Sequence, residues 1–450
     1  MKKLVALLLI FIMCLSLTAC GSMADGKGVV KGSNISAAGR TDRDVYVDLW
    51  GIYAEGSDCA QWLQEKADAF AAVYAAENGI SVEMVYVAPT QYAAFDVSDG
   101  ALPVLYQVPA QQCAALEALC ADVEDYMSLE GVAAYLDGLL VDCRTEEKLF
   151  AVPSGRTAGC YIVNLDLVEQ AGYTKADVEN WDWDTFHEIM LAVSQLGDNM
   201  EGCGLWWGTD ARMWESALYA NGGSVTDEEG TDILFGKDGC GAQILELAAQ
   251  MLEDGSLYSA YDSCTAAEVG DVLNAAFIKG TLGCRMASTA DYNEIRTLLA
   301  QSGKEMNLLV ASQPAGDGGF AAVVGGNNYL LLNKATETQK KVAAAYLEYI
   351  AQSENDLAWS EVSGCMAVNE NTYAALSADP NAVKIGAMAS YAHPRAERVD
   401  WAQMCAYLMV ELVSWSKDPA AYEAANGGSA QAVVEQWANH CRNLPEGKTR

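Results

Sequence analysis

Histidine is nearly absent: His187, His393 and His440 are the only three in 450 residues. With so few imidazoles and no pair of cysteines at C-x-x-C spacing, a structural zinc site has no framework. No G-x-S-x-G, H-E-x-x-H or P-loop run occurs either. The usual signatures of serine hydrolases, zinc proteases and nucleotide hydrolases are therefore missing. Positive charge is scarce, with 27 Lys+Arg against 61 Asp+Glu and a formal net charge of −34. Phosphate backbones and anionic lipid surfaces attract basic patches, so neither nucleic acid nor electrostatic membrane adhesion suits this chain. A secreted glycosidase needs two facing carboxylates, and among 61 acids any pair can be imagined, so that alternative has no pointer of its own. No internal repeat is visible.

A chain of 450 residues is long for one core and suits two lobes. Apolar residues make up 51% and charged residues 20%, a soluble globular composition. The first twenty residues stand apart. Lys2 and Lys3 precede an apolar run from Leu4 to Leu17, too short to span a membrane comfortably, which reads as a secretory signal over 1–19. Leu17-Thr18-Ala19-Cys20 matches the bacterial lipobox, in which the cysteine is acylated and becomes the new amino terminus. An acylated Cys20 would anchor the protein stably outside the cytoplasmic membrane. Residues 20–42, rich in Gly, Ser, Ala and Asp, read as a tether. Of 14 cysteines, those from Cys59 to Cys441 are irregularly spaced in apolar settings and are expected to be mostly free thiols behaving as small hydrophobes.

Order should begin at Asp44–Trp50, which alternates as a first strand. An amphipathic helix over Cys59–Tyr74 follows, with Trp62, Ala69, Phe70 and Val73 on one face, then strands over Ile80–Val87 and near Leu102–Val108. This β-α-β-α-β order predicts a parallel open sheet whose ligands lie beyond the carboxyl ends of its strands. At Lys148–Gly172 one apolar run hands over to another through Pro153-Ser154-Gly155, a predicted polar loop with Arg156 and Thr157 at its tip. Asp182 should cap a helix running to Leu196, with Trp181 stapled onto Phe186.

The run Pro153…Tyr161…Asn164…Gly172 resembles the interlobe crossing of the extracellular solute-binding proteins of ABC importers, in the family that takes up sugars and glycerol phosphates. Weaker likenesses keep the same order: Trp181–Phe186, Asn221-Gly222-Gly223, Thr281–Ser288, Pro314-Ala315-Gly316 with Gly325-Gly326, and Gly364–Asn369. The resemblance implies an α/β, two-lobe, periplasmic-binding-protein-like (type II) clamshell, each lobe a mainly parallel sheet flanked by helices. Residues 43–153 and 294–333 would form lobe 1, and 154–293 and 334–450 lobe 2 with the C-terminal helices.

It also implies a monomeric receptor that holds a sugar or short oligosaccharide and docks on membrane permease subunits, with no cofactor, metal or catalysis. A surface lipoprotein binding glycans or glycerol phosphates without transport is the alternative. The positions that match the family's ligand contacts are Trp50, Tyr53, Tyr92, Gln107, Arg156, Thr157, Trp214, Tyr292, Gly325, Gly326, Trp359 and Arg398. Trp50 reads equally as core. Arg156 and Arg398 read equally as surface ion pairs, and Gly325-Gly326 as a plain turn.

Overall fold

Strand β4, Ala151–Asn164, runs fourteen residues without interruption. The sequence reading placed a loop here. The difference comes from a partner strand, β9 (Ala322–Leu331), which lies antiparallel to β4 from Ala151 to Ala158 and satisfies the backbone groups a loop would leave to water. The Pro153-Ser154-Gly155 break survives only as a register shift, a bulge inside the strand. Beyond Ala158, β4 changes partners. Strand β7 (Leu282–Ser288) pairs with Gly159–Val163, and β8 (Leu308–Ala311) pairs with Tyr161–Asn164, both antiparallel. The computed structural model describes residues 42–92, 102–140, 142–227, 230–393, 395 and 401–444. The signal, most of the tether and Arg398 lie outside them.

On one side of this crossing, β1 (Val45–Trp50) lies parallel between β2 (Val82–Val87) and β3 (Leu105–Pro109), and β3 pairs antiparallel with β9. On the other, β5 (Glu201–Gly204) lies parallel between β7 and β6 (Leu257–Tyr258). The path through the sheet is β2-β1-β3-β9-β4-β7-β5-β6, with β10 (Ala392–His393) alongside β9. The outer strands are thus parallel in each half, as expected, and the joining strands antiparallel. All six residues of β1 are buried, which fits a strand covered on both faces.

Helix α1 (Asp58–Asn78) starts at Ser57, whose side chain accepts the Ala60 N–H, and stops at left-handed Gly79. It buries Leu63, Ala67, Phe70 and Ala71, whereas Val73, expected on the same face, is exposed. Helix α2 (Trp183–Ser194) is capped by Asp182, and the Trp181 ring centroid lies 5.2 Å from that of Phe186. Both follow from local sequence.

The lobe boundaries differ from the sequence reading. Helices α7 (Glu337–Ile350) and α8 (Ser353–Ser363) pack against α1, and α7 also against β1, so 337–363 lies with the first half rather than the second. Helix α6 (Asp291–Ser302) packs on β7 in the second half, together with α3 (Arg212–Ala220), α4 (Cys240–Asp254) and α5 (Val269–Lys279). The return to the first half is made inside β9, about thirty residues later than expected. At 364–369 the chain runs beside the crossing, where the Met366 N–H donates to the Arg156 carbonyl at 2.6 Å, and it reaches the second half with residues 380–387, which pack on β8. The carboxylate of Asp356 accepts the Val368 and Asn369 N–H groups and the Thr372 hydroxyl. Helices α9 (Trp401–Trp415) and α10 (Ala430–Arg442) close the second half, α10 against α4. All twelve cysteines from Cys59 to Cys441 are thiols; only Cys59, Cys240, Cys264 and Cys365 escape full burial.

Candidate ligand-binding floor between the two halves

The carboxyl ends of β1, β3, β5 and β7 all point toward the crossing, so the residues just beyond them decide what can bind there. The floor is made of glycine. Gly155 pairs with Asn327, Arg156 with Gly326 and Thr157 with Gly325. A β-carbon on Gly326 would lie 2.2 Å from the Gly155 carbonyl oxygen, and its φ of +122° is open to few other residues. The Gly325-Gly326 pair therefore sits within a strand, not in a turn. Its bareness lets β4 and β9 approach and lets other side chains lie across them.

Two groups lie on this floor, one from each half. Gly155 and Thr157 alternate with Arg156, so they face the same side about 7 Å apart. Over Gly155 stands the first group. A β-carbon there would come within 2.9 Å of Cys365 Sγ and 3.2 Å of Trp359 Nε1. The Trp359 indole N–H donates to the Ser154 carbonyl at 2.5 Å, and the ring meets Tyr53 edge to face at 5.6 Å. Tyr53, half-buried, is held by Tyr86, which accepts its N–H at 2.7 Å and donates to its carbonyl at 2.9 Å. Burial pushes the Tyr53 hydroxyl and the Cys365 thiol up, so both stay protonated at neutral pH.

Over Thr157 stands the second group. Arg212 Nη1 donates to the Thr157 hydroxyl at 2.7 Å, and a β-carbon on Gly325 would lie 3.0 Å from Arg212 Nη2. The guanidinium grips Asp210 with two bonds, Nε to Oδ1 and Nη2 to Oδ2, both 3.0 Å. Arg395 donates to Asp210 Oδ2 at 2.6 Å and to both oxygens of Glu215 at 3.0 and 3.2 Å. Burial works to raise the Asp210 pKa, but the two guanidinium groups more than reverse it and hold the carboxyl below the usual carboxylate range. Glu215, fully buried, is pushed up to about 7 by burial, with Arg395 opposing. Nearby, half-buried Trp206 follows β5, with the Arg285 guanidinium 5.8 Å from its ring centre.

The other sequence candidates take different places. Trp50 is buried, stacked on Tyr92 at 4.8 Å and edge-on to Tyr106 at 6.1 Å, and Tyr92 donates to the Gly51 carbonyl at 3.1 Å. Gln107 is fully buried and donates to Ser154 Oγ at 3.0 Å, tying β3 to β4. Arg156 turns to the opposite side of β4 from Thr157. It is 1% exposed, donates to the Leu139 carbonyl at 2.8 Å and forms an ion pair with Asp142. Trp214 is buried edge-on to Phe235 at 5.0 Å. Tyr292 is buried too, with its hydroxyl bonded to Asp379 and Asn381; it lines a separate pocket that touches the floor only at Cys365.

The floor therefore joins Tyr53, Thr157, Gly325, Gly326 and Trp359 from the sequence candidates and adds Cys365, Asp210 and Arg212. Asp210 and Arg212 carried no sequence signal beyond their place ahead of Trp214. Their partners lie too far along the chain for spacing to reveal.

Two halves joined by crossing strands, with side chains from both over a bare floor, are what a hinged receptor requires. The family of bacterial extracellular solute-binding proteins matches residues 69–384. The chain belongs to this family. Its members are binding proteins rather than enzymes, and work outside the cytoplasm. Among the described residues no helix is long and apolar enough to cross a membrane.

Solved structures agree on the fold. The sugar-binding protein MalE from Xanthomonas citri superposes with a TM-score of 0.70 at 15% identity, covering 88% of this chain and 96% of that one. The cyclic α-maltosyl-1,6-maltose binding protein from Arthrobacter globiformis gives 0.68 at 16% identity, covering 88% and 98%. UgpB from Mycobacterium tuberculosis, solved with glycerophosphocholine, gives 0.62 at 17% identity, covering 88% and 97%. No curated protein sequence matches the chain. The solute-binding protein is thus a two-lobe, type II periplasmic-binding-protein fold.

Proposed function

We propose that this solute-binding protein is the receptor of an ABC importer for a sugar or short oligosaccharide, tethered to the outer face of the cytoplasmic membrane by acylated Cys20, and without catalytic activity of its own. The observation that carries the ligand class is the pairing across the floor. Tyr53 and Trp359 come from one half, and Arg212 with Asp210 from the other. Sugars ask for apolar ring faces and for oriented polar groups; half-buried Tyr53, backed by buried Trp359, supports the first and the Asp210–Arg212 pair the second. Ligand would draw the halves together about β4, β9 and residues 364–369, and permease subunits would read the closed form. The Leu17–Cys20 run supports the anchor.

A thermal-shift screen of the mature chain against mono-, di- and oligosaccharides tests the ligand. A binder present at one hundred times its Kd adds about 2.7 kcal/mol of stability and raises the melting point visibly. Small-angle scattering should show the chain contracting with the same sugar. A melting point indifferent to every carbohydrate, together with an unchanged scattering profile, would overturn the proposal. Labelled fatty acid should be incorporated into the native protein and not into Cys20→Ala, and globomycin should leave the longer, uncleaved precursor in the membrane; a native protein that takes up no label would refute the anchor.

A further inference from the structure

Asp210, Ala211 and Arg212 form an unusual triplet. Ala211 is the only non-glycine residue with positive φ among the described residues, at φ 65°, and it is fully buried. A left-handed alanine costs about 1–2 kcal/mol, so its neighbours must hold it there. The reversal lets residues 210 and 212 meet in a two-bond pair, although side chains two apart in a helix diverge. Helix α3 begins at Arg212 itself, with Ala211 as its cap, so one member of the pair is fixed on a rigid element.

The hydrogen-bond tally of this pair is specific. Arg212 has five N–H groups, three of which go to Asp210 and Thr157. Two remain uncommitted among the described residues. Asp210 Oδ2 accepts from both arginines, whereas Oδ1 accepts one bond and keeps a lone pair. The Thr157 hydroxyl accepts from Arg212 and keeps its own hydrogen. Both side chains of the pair stay partly open, Arg212 at 14% and Asp210 at 22%. Donors and an acceptor therefore stand side by side, which is what a hydroxyl group asks for, since it both donates and accepts.

Charge decides the rest. Every arginine described around the crossing is committed to a carboxylate: Arg156 to Asp142, Arg212 to Asp210, Arg285 to Asp291, and Arg395 to Asp210 and Glu215. Among the described residues, a phosphate entering here meets only guanidinium groups already paired with carboxylates and must approach the Asp210 carboxylate, within a chain of net charge −34.

We infer that the Asp210–Arg212 pair, with Thr157, is the hydroxyl-recognising element of this receptor and makes it select uncharged polyols over their phosphorylated counterparts. This rests on the carbohydrate reading above and goes one step past it, by naming the charge class of the solute and the residues that enforce it.

Calorimetric titration with glucose, maltose, maltotriose, raffinose and glycerol, set against glucose 6-phosphate, glycerol 3-phosphate and glycerophosphocholine, tests it. The expected result is that a neutral solute binds and every phosphorylated one is at least about tenfold weaker, the effect of one unfavourable charge contact. In Asp210→Asn the neutral affinity should fall about tenfold or more while the preference against phosphate shrinks. A purely structural role would not move that ratio. Thr157→Val removes a half-buried hydroxyl and its bond from Arg212, which water can replace at this partly open site, and should cost about threefold to tenfold in neutral affinity with the melting point within a degree or two. It keeps the test valid if Asp210→Asn or Arg212→Gln fails to fold.

Two outcomes would overturn the inference. If a neutral sugar binds and the folded variants all hold it as tightly as the parent, the pair is not the recognising element, and the carbohydrate reading stands. If only phosphorylated solutes bind, both the inference and the carbohydrate reading fall.

Discussion

Replacing Arg156 separates a structural arginine from a ligand-binding one. Its guanidinium is buried at 1% exposure, bonded to the Leu139 carbonyl at 2.8 Å and ion-paired with Asp142, whose own side chain is 17% exposed. Removing one partner of a buried pair costs about 3–5 kcal/mol, because the other is left uncompensated. Asp142 retains some contact with water, which puts Arg156→Ala near the lower end, about 3 kcal/mol. At about 2–4 °C per kcal/mol for domains of this order, the melting point should fall by about 6–12 °C. Asp142→Asn should lose a comparable amount, and Arg156→Met with Asp142→Leu should recover part of it, since an apolar pair leaves no stranded charge. Urea denaturation followed by tryptophan fluorescence would give the stability, and titration with the bound sugar the affinity. If Arg156→Ala melts like the parent and loses the ligand, Arg156 is a ligand contact and its assignment here is wrong.

The two floor glycines should fail differently. Gly326→Ala must displace backbone and strain a positive φ, costing about 2 kcal/mol or more in stability, whereas Gly325→Ala presses only on the Arg212 guanidinium and should lower affinity more than melting point. Thermal melts and titrations on both variants would show whether the split exists. Glu215, raised to about 7 in the fold from an ordinary carboxyl value of 4.5, holds its proton more tightly when folded than unfolded. Its contribution is complete below pH 4.5 and lost as pH rises to about 7, so Glu215→Gln should flatten the melting-point profile across that window. An unchanged slope would contradict the burial argument. Asp210 acts in the opposite sense and in a separate window, since its lowered pKa contributes stability that is lost only as pH falls below about 4. Cys365, half-buried over Gly155, should be alkylated more slowly once ligand is bound, and Cys264, on the second half, should not change; equal protection of both by ligand would place the solute elsewhere.

Features set by neighbours in the chain were legible in the sequence. Asp182 caps α2 and Trp181 packs on Phe186 because a cap and its staple lie within a few residues of one another. The order of elements sufficed for a parallel α/β sheet in the first half, whereas the two-lobe architecture rested on the family resemblance, and the alternation of β1 marked no exposed side because both its faces are covered. The lobe limits were not legible, since α7 is amphipathic whichever half it covers, and only its packing on β1 and α1 assigns it. Nor was the course of residues 151–158: Pro153-Ser154-Gly155 has the composition of a loop, and it becomes strand because β9 arrives from about 170 residues away to take its hydrogen bonds.

The site divides along the same line. Tyr53 and Trp359 could be picked because they stand at positions that match the family's ligand contacts. Arg156 and Thr157 are adjacent and looked equivalent, yet strand alternation sends one into an ion pair with Asp142 and the other onto the floor. Asp210 and Arg212 stayed hidden among 88 charged residues until folding set them against a threonine 55 residues away and an arginine 185 residues away. Sequence alone determined the class of element and its capping, where the energies are local. Tertiary structure decided which charges neutralise one another and which polar groups remain for a solute, because those energies depend on distances that chain separation does not set.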